Sequence, residues 1–202
     1  MLDIDKMISE KEIKIIESNV KIYLREGLFK KGDYSNLAEF YLRTAEKTLQ
    51  TADALNQMSE NLDIKKKLGL LDNFETYLWV ITTSYYSMFY SINALFAKNG
   101  IKIGDKISHK VVSDVFYFYF IKNNKLAKEL FEIYEETKDQ AMELIRYSEQ
   151  AEKLFKELEF EREKRHKFQY DMTETIKRSY AQTSLERARD FFNEIKVLLK
   201  SQ

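Results

Sequence analysis

Residues 76–97 read TYLWVITTSYYSMFYSINALFA, twenty-two consecutive positions without a formal charge. As a helix rising 1.5 Å per residue, such a run is about 33 Å long, enough to span a bilayer. Its composition points elsewhere. Three Thr, three Ser, one Asn and four Tyr interrupt the apolar residues, and no solid block of Leu, Ile and Val occurs. A helix that is apolar on all sides is also what the centre of a soluble bundle requires. The run therefore reads as a buried central helix, and no membrane span is expected.

Working outward, the 202 residues contain no proline, whereas usage near 5% would give about ten. The last of five glycines is Gly104, so nearly half the chain lacks the strongest helix breakers. Hydrophobic residues make up 44% and charged residues 33%, a balance that supports a folded core rather than disorder. The 33 basic and 33 acidic residues cancel, so any anion-binding site must be local. Without cysteine there is no disulfide framework, thiolate metal site or cysteine nucleophile. The opening MLDIDKMISEKEIK carries charges throughout and no apolar signal core, which points to the cytoplasm.

Hydrophobic spacing assigns the remaining elements. Ile8, Ile13, Ile16, Val20, Leu24 and Leu28 recur at helical period, with Gly27 and Gly32 closing that segment. Asn36 and Glu39 form a candidate N-cap and N3 pair ahead of a stripe through Leu37, Tyr41, Ala45, Ala52 and Met58. Gly69 and Asp72 mark the next turn, Gly100 a helix end and Ser108 an N-cap. VVSDVFYFYFI favours strand locally. No second strand-like run exists to pair with it, so it is assigned to helix. A long stripe runs from Leu126 to Leu158, with Thr137 and Gln140 as a possible capped restart. Thr183 and Glu186 read as the capping box of a final helix carrying Leu185, Ala188, Phe192, Ile195 and Leu199. The expected fold is all-α: an antiparallel up-and-down bundle of five to six helices.

Most chemistry-bearing motifs are missing. The glycines fit no phosphate loop, two histidines are too few for a typical His-rich metal site, and no Glu-x-x-His pair is present. Neither a metal nor a cofactor is expected. Three features remain. Tyr85 to Tyr90 on the central helix reads as core, with hydroxyls able to line a polar pocket. Ser108 and His109, beside Lys106 and Lys110, open a helix whose free N–H groups favour anions. Arg162, Arg165, His166 and Lys167, with Phe168 and Tyr170 adjacent, form the densest basic cluster. That mixture suits phosphate contacts and base stacking, though a solvated charged face would read the same way.

These segments together resemble a known family. Ser84-Tyr85-Tyr86-Ser87-Met88-Phe89-Tyr90, continuing through Ile92-Asn93-Ala94-Leu95-Phe96, is similar to the "AYYAMFHAARALL" helix of HEPN-domain proteins. Ser108-His109-Lys110-Val111-Val112 with Phe116 resembles the family's "THxGVIxxF" element. Arg165 to Tyr170 resembles its "RxxADY" element, and Leu185 to Leu199 its closing helix. The resemblance divides the chain into an N-terminal helical arm, residues 1–35, and an HEPN-like bundle, residues 36–202. It implies a homodimer, consistent with 14 Phe and 13 Tyr, and a minimal nucleotidyltransferase partner in a toxin–antitoxin pair.

Catalytic members of that family are metal-independent ribonucleases with an Arg followed by a His after four to six residues. Here three residues separate Arg162 from His166, and the aromatic end of the motif falls on Tyr170. A phenol titrates near 10, far from the range suited to acid–base work at neutral pH. The first reading is therefore a module that binds nucleotide, RNA or a nucleotidyltransferase through Arg165, Tyr170, His109, Lys110 and Lys167. A ribonuclease toxin using His166 and Arg162 is the second, and a structural helical adaptor the third.

Overall fold

The computed structural model describes residues 9–104, 109–122, 126–157 and 174–201. Seven α-helices hold most of them: α1 Glu10–Arg25, α2 Ala38–Glu60, α3 Leu62–Lys67, α4 Tyr77–Lys98, α5 His109–Phe116, α6 Lys128–Glu157 and α7 Glu174–Ser201. Two short strands, β1 Phe29–Lys31 and β2 Ile101–Ile103, pair antiparallel. The chain is all-α in class, as its spacing predicts, with seven helices among the described residues against the expected five to six. The addition is α3, six residues long, whose N-cap Asn61 accepts from the backbone N–H groups of Asp63 and Ile64. The charge-free run forms α4, and among the described residues no helix is long and apolar enough to cross a membrane.

Two compact units divide the chain, Met1–Phe40 with Ile92–Glu132 and Tyr41–Ser91 with Ile133–Gln202. In the first, α1 begins with a capping box between Ser9 and Glu12 and buries Ile16 and Val20. It runs antiparallel to α5, because Asn19 and Tyr23 meet Asp114 while the earlier Glu17 meets Lys122. After Phe116 the helix widens into a π turn, Tyr117–Ile121, in which Lys122 N–H donates to the Tyr117 carbonyl. VVSDVFYFYFI is thus helical throughout, as the lack of a pairing strand predicts. Its Phe116 and Phe120 pack against each other, with Phe131 on Phe116 and Phe96 stacked on Phe120.

In the second unit four helices alternate in direction. Ser87 Oγ donates to the Ala45 carbonyl and Tyr77 Oη to Glu60, so α4 is antiparallel to α2. Glu46, Asp53 and Glu60 pair with Lys196, Arg189 and Arg178 in reverse order, so α7 is antiparallel to α2 as well. Glu136 meets Arg187 and Gln140 meets Ser184, which sets α6 against α7. The result is an up-down-up-down order, in keeping with the expected antiparallel bundle. On α2 the acids recur every seven residues, and so do the buried small residues Ala45, Ala52 and Ser59. One side of the helix packs while the neighbouring edge carries charge.

Three local expectations are corrected. Helix α6 continues through Thr137 and Gln140 without a restart; Thr137 is fully buried. Helix α7 starts at Glu174, so Thr183 and Glu186 lie in its interior instead of capping it. Ahead of α2, Asn36 lies inside a 3-10 turn, Ser35–Leu37. There Asp33, one residue before the cap position, closes a local turn: its Oδ1 accepts from Ser35 N–H (3.1 Å) and Oγ (2.7 Å). These short motifs are written in the same residues that fill helix interiors, so packing decides between the two.

Candidate functional site

Of the residues singled out in the sequence, Arg162, Arg165, His166, Lys167 and Tyr170 lie outside the described residues, as does the Ser108 cap. His109 and Lys110 are described, and they open α5. Lys110 does not stand alone. Its Nζ lies 2.8 Å from Oδ1 of Asp114, one helical turn on, whose side chain is almost wholly buried. The other carboxylate oxygen accepts from Asn19 Nδ2 at 3.0 Å and Tyr23 Oη at 3.1 Å. A buried carboxylate is tolerated because each oxygen has a donor and a cation faces it. Burial, reinforced by the Asp114 charge, pushes the Tyr23 phenol up to about 12, so it remains a proton donor at any physiological pH. The arrangement ties α1 to α5 within the first unit and leaves His109 half-exposed at the helix entrance. A phosphate arriving there would compete with Asp114 for the Lys110 ammonium.

The Tyr85–Tyr90 segment is mainly core. Tyr85 and Tyr134 are fully buried with hydroxyls 3.3 Å apart, and Tyr134 packs on Phe191. Desolvation drives the Tyr85 phenol well above its ordinary range, so it takes no part in proton transfer near neutrality. Tyr86 and Tyr90 are half-buried. In the same unit Ser84 Oγ on α4 and Glu135 Oε1 and Thr137 Oγ1 on α6 are buried without a hydrogen-bond partner, whereas such groups are normally satisfied.

At the far end of the same unit, Glu60 receives Nε of Arg178 (2.7 Å), its Nη2, and Oη of Tyr77 (3.0 Å). Beside it lies a groove of about 620 Å³ lined by Asn56, Gln57, Glu60, Asn61, Leu62, Asp63 and Lys66. Sequence reasoning missed Asp114 and Glu60. The signal for Asp114 was present: it is the one acid in the run from Val111 to Ile121. Among the described residues no group of three or more His, Cys, Asp or Glu could hold a metal ion.

An all-α chain of antiparallel helices with no metal cluster among its described residues defines a structural class, and sequence comparison narrows it. Over 162 residues, 80% of this chain and 86% of the other, it is 30% identical to the protein of Methanocaldococcus jannaschii named "Putative toxin MJ0142". The chain belongs to the family of that protein. No family model matches, and no solved structure matches.

Proposed function

We propose that this protein is the toxin half of a toxin–antitoxin pair, an HEPN-type helical module that binds RNA or nucleotide and is neutralised by a minimal nucleotidyltransferase. The observation that carries this reading is the 30% identity across 86% of a protein named as a toxin. It is supported by the order of the HEPN-like segments, which fall on α4, α5 and α7 in turn. Arg165, Lys167 and Tyr170 supply phosphate and base contacts, with His109 and Lys110 as a second, partly engaged cationic point. The exposed Phe40, Leu71 and Trp79 are consistent with self-association into a homodimer. Light scattering tests that part directly, since a persistent 24.2 kDa species at micromolar concentration overturns it.

The deciding experiment is expression of the chain alone and together with the product of a neighbouring nucleotidyltransferase reading frame. Growth arrest alone, relieved by co-expression, is the expected result; unaffected growth in both cases overturns the reading. In vitro, Arg165→Ala weakens RNA binding by about 1–3 kcal/mol through loss of a charge-assisted contact. A metal-independent ribonuclease is the second reading, motivated by the Arg162 and His166 pair in the basic cluster, with Arg162 or Arg165 polarising a phosphate and His166 as base. The proposed module is expected to show no cleavage in chelator above a His166→Ala control. Robust cleavage lost in His166→Ala or Arg162→Ala, and kept in Tyr170→Phe, reverses the order.

A further inference from the structure

The β-ribbon of the first unit is small and costly to build, and what it displays is charge. Its register sets Phe29 opposite Ile103, Lys30 opposite Lys102 and Lys31 opposite Ile101. Side chains alternate along a strand, so Phe29, Ile101 and Ile103 turn inward and are buried, leaving Lys30 and Lys102 side by side on the outer face. The Gly32 N–H donates to the Gly100 carbonyl and Gly104 N–H to the Leu28 carbonyl. That alternation makes Lys30 and Lys102 a hydrogen-bonded pair, with Cα atoms about 5.5 Å apart. Like charges directly opposite destabilise a ribbon.

The backbone here has no freedom to avoid this. Gly100 sits at φ +71°, where a Cβ would lie 2.7 Å from the Gly32 carbonyl oxygen, so glycine is required for the strands to close. Two half-exposed rings flank the ribbon, Tyr34 beside Lys102 and Tyr119 on the side of Lys31 and Phe29. Lys31 Nζ lies 4.7 Å from the centroid of Tyr119, and Lys102 Nζ lies 5.9 Å from that of Tyr34. Phe29 holds the Tyr119 ring edge-on at 6.2 Å. The stretches 28–34 and 98–104 contain four lysines, Lys30, Lys31, Lys98 and Lys102, and a single acid, Asp33. That acid is bonded to Ser35, not to a lysine.

From this geometry we infer that the outer face of the β1–β2 ribbon is a single-stranded RNA-binding surface, in which Lys30 and Lys102 contact neighbouring phosphates and Tyr34 stacks on a base. A single strand fits better than a duplex, because flat rings beside lysines are useful only where bases are free to leave the stack. An RNA phosphate between Lys30 and Lys102 also relieves the repulsion that the free ribbon carries. The surface adds to the proposed toxin function and is independent of the Arg162–Tyr170 cluster.

The test uses the full chain and a fluorescent single-stranded RNA, with anisotropy read across a salt series. The double variant Lys30→Gln/Lys102→Gln is expected to lose about tenfold or more in affinity at low salt. Its log–log salt slope should become shallower by about 1.4, two phosphate contacts on a single strand. Tyr34→Leu is expected to weaken binding by about five- to a hundredfold with the slope unchanged. The melting temperature of the lysine double variant stays level or rises, which separates lost binding from lost folding. Wild-type affinity and slope in that variant overturn the ribbon site while leaving the toxin reading, tested by growth, untouched. Lysine-dependent binding to anionic phosphatidylserine vesicles without RNA binding also overturns it.

Discussion

The first unit joins α1 to α5 through a buried acid, whereas the second joins α2 to α7 through ion pairs along an exposed edge. At the first joint, Asp114 is almost fully enclosed and takes donors from Asn19, Tyr23 and Lys110. At the second, Asp53, Glu60 and Glu46 meet their partners with substantial side-chain exposure on both helices. Packing beneath the second joint is done by small residues and by Phe191, Phe192 and Ile195. Removing a buried carboxylate leaves donors unmatched in a low dielectric, while removing an exposed one leaves water to replace it. Specificity in the first unit therefore rests on a few polar atoms, and stability in the second rests on apolar area.

The largest effect should come from that apolar area. Phe191→Ala removes a ring fully buried against Tyr134 and is expected to cost about 3–5 kcal/mol in a denaturant melt. A loss below 1 kcal/mol would mean that the second unit is not held together by its core. Next comes Asp114→Ala, at about 1–3 kcal/mol. Lys110 can return to water, since its side chain is 60% exposed, but Asn19 and Tyr23 are left with half-buried donors. Amide exchange should show α1 losing protection first; even loss across all helices would argue against a local joint.

Tyr23 sharpens the same joint through pH. Its phenol is raised from 10.0 to about 12, so between those values the unfolded chain loses a proton that the folded chain keeps. Stability from this group is complete below pH 10 and declines as the pH rises towards 12. Tyr23→Phe should be less stable than the wild type near neutrality, and the gap should narrow in that alkaline window. A constant gap from pH 8 to 11.5 would show that the phenol is not coupled to Asp114.

The second joint was the more legible in the sequence. Buried helices leave a periodic signature, and α4, α6 and α7 each repeat apolar residues over many turns. The first joint left almost none. Asp114 bonds to Asn19 and Tyr23 across 95 and 91 residues, a separation that no local pattern encodes. The β-ribbon was invisible for a related reason: its strands are three residues long and lie on either side of α2, α3 and α4. The capping boxes misled because Thr183 and Glu186 can also lie in the interior of a helix that began nine residues earlier. Of the candidate site, the start of α5 was legible in the sequence, while the Arg162 to Tyr170 motif lies outside the described residues. The acid beneath Lys110 was not legible, because its donors on α1 come together with it only in the folded unit.

The smallest effect tests the exposed edge itself. Arg189 and Asp53 form the middle rung of the α2–α7 ladder, with side chains 47% and 31% exposed. Holding two long side chains in one geometry costs entropy, and salt screens their attraction, so such pairs contribute little on average. A double-mutant cycle of Arg189→Ala and Asp53→Ala is expected to return a coupling of about 0.2–1 kcal/mol, shrinking in 1 M salt. The matching cycle of Lys110→Ala and Asp114→Ala should retain most of its coupling in the same salt, because the carboxylate there is shielded from the ions. Equal couplings, equally screened, would erase the distinction between the two joints. The ladder would then have to act as a network whose outer rungs, Glu46–Lys196 and Glu60–Arg178, hold the middle one in place.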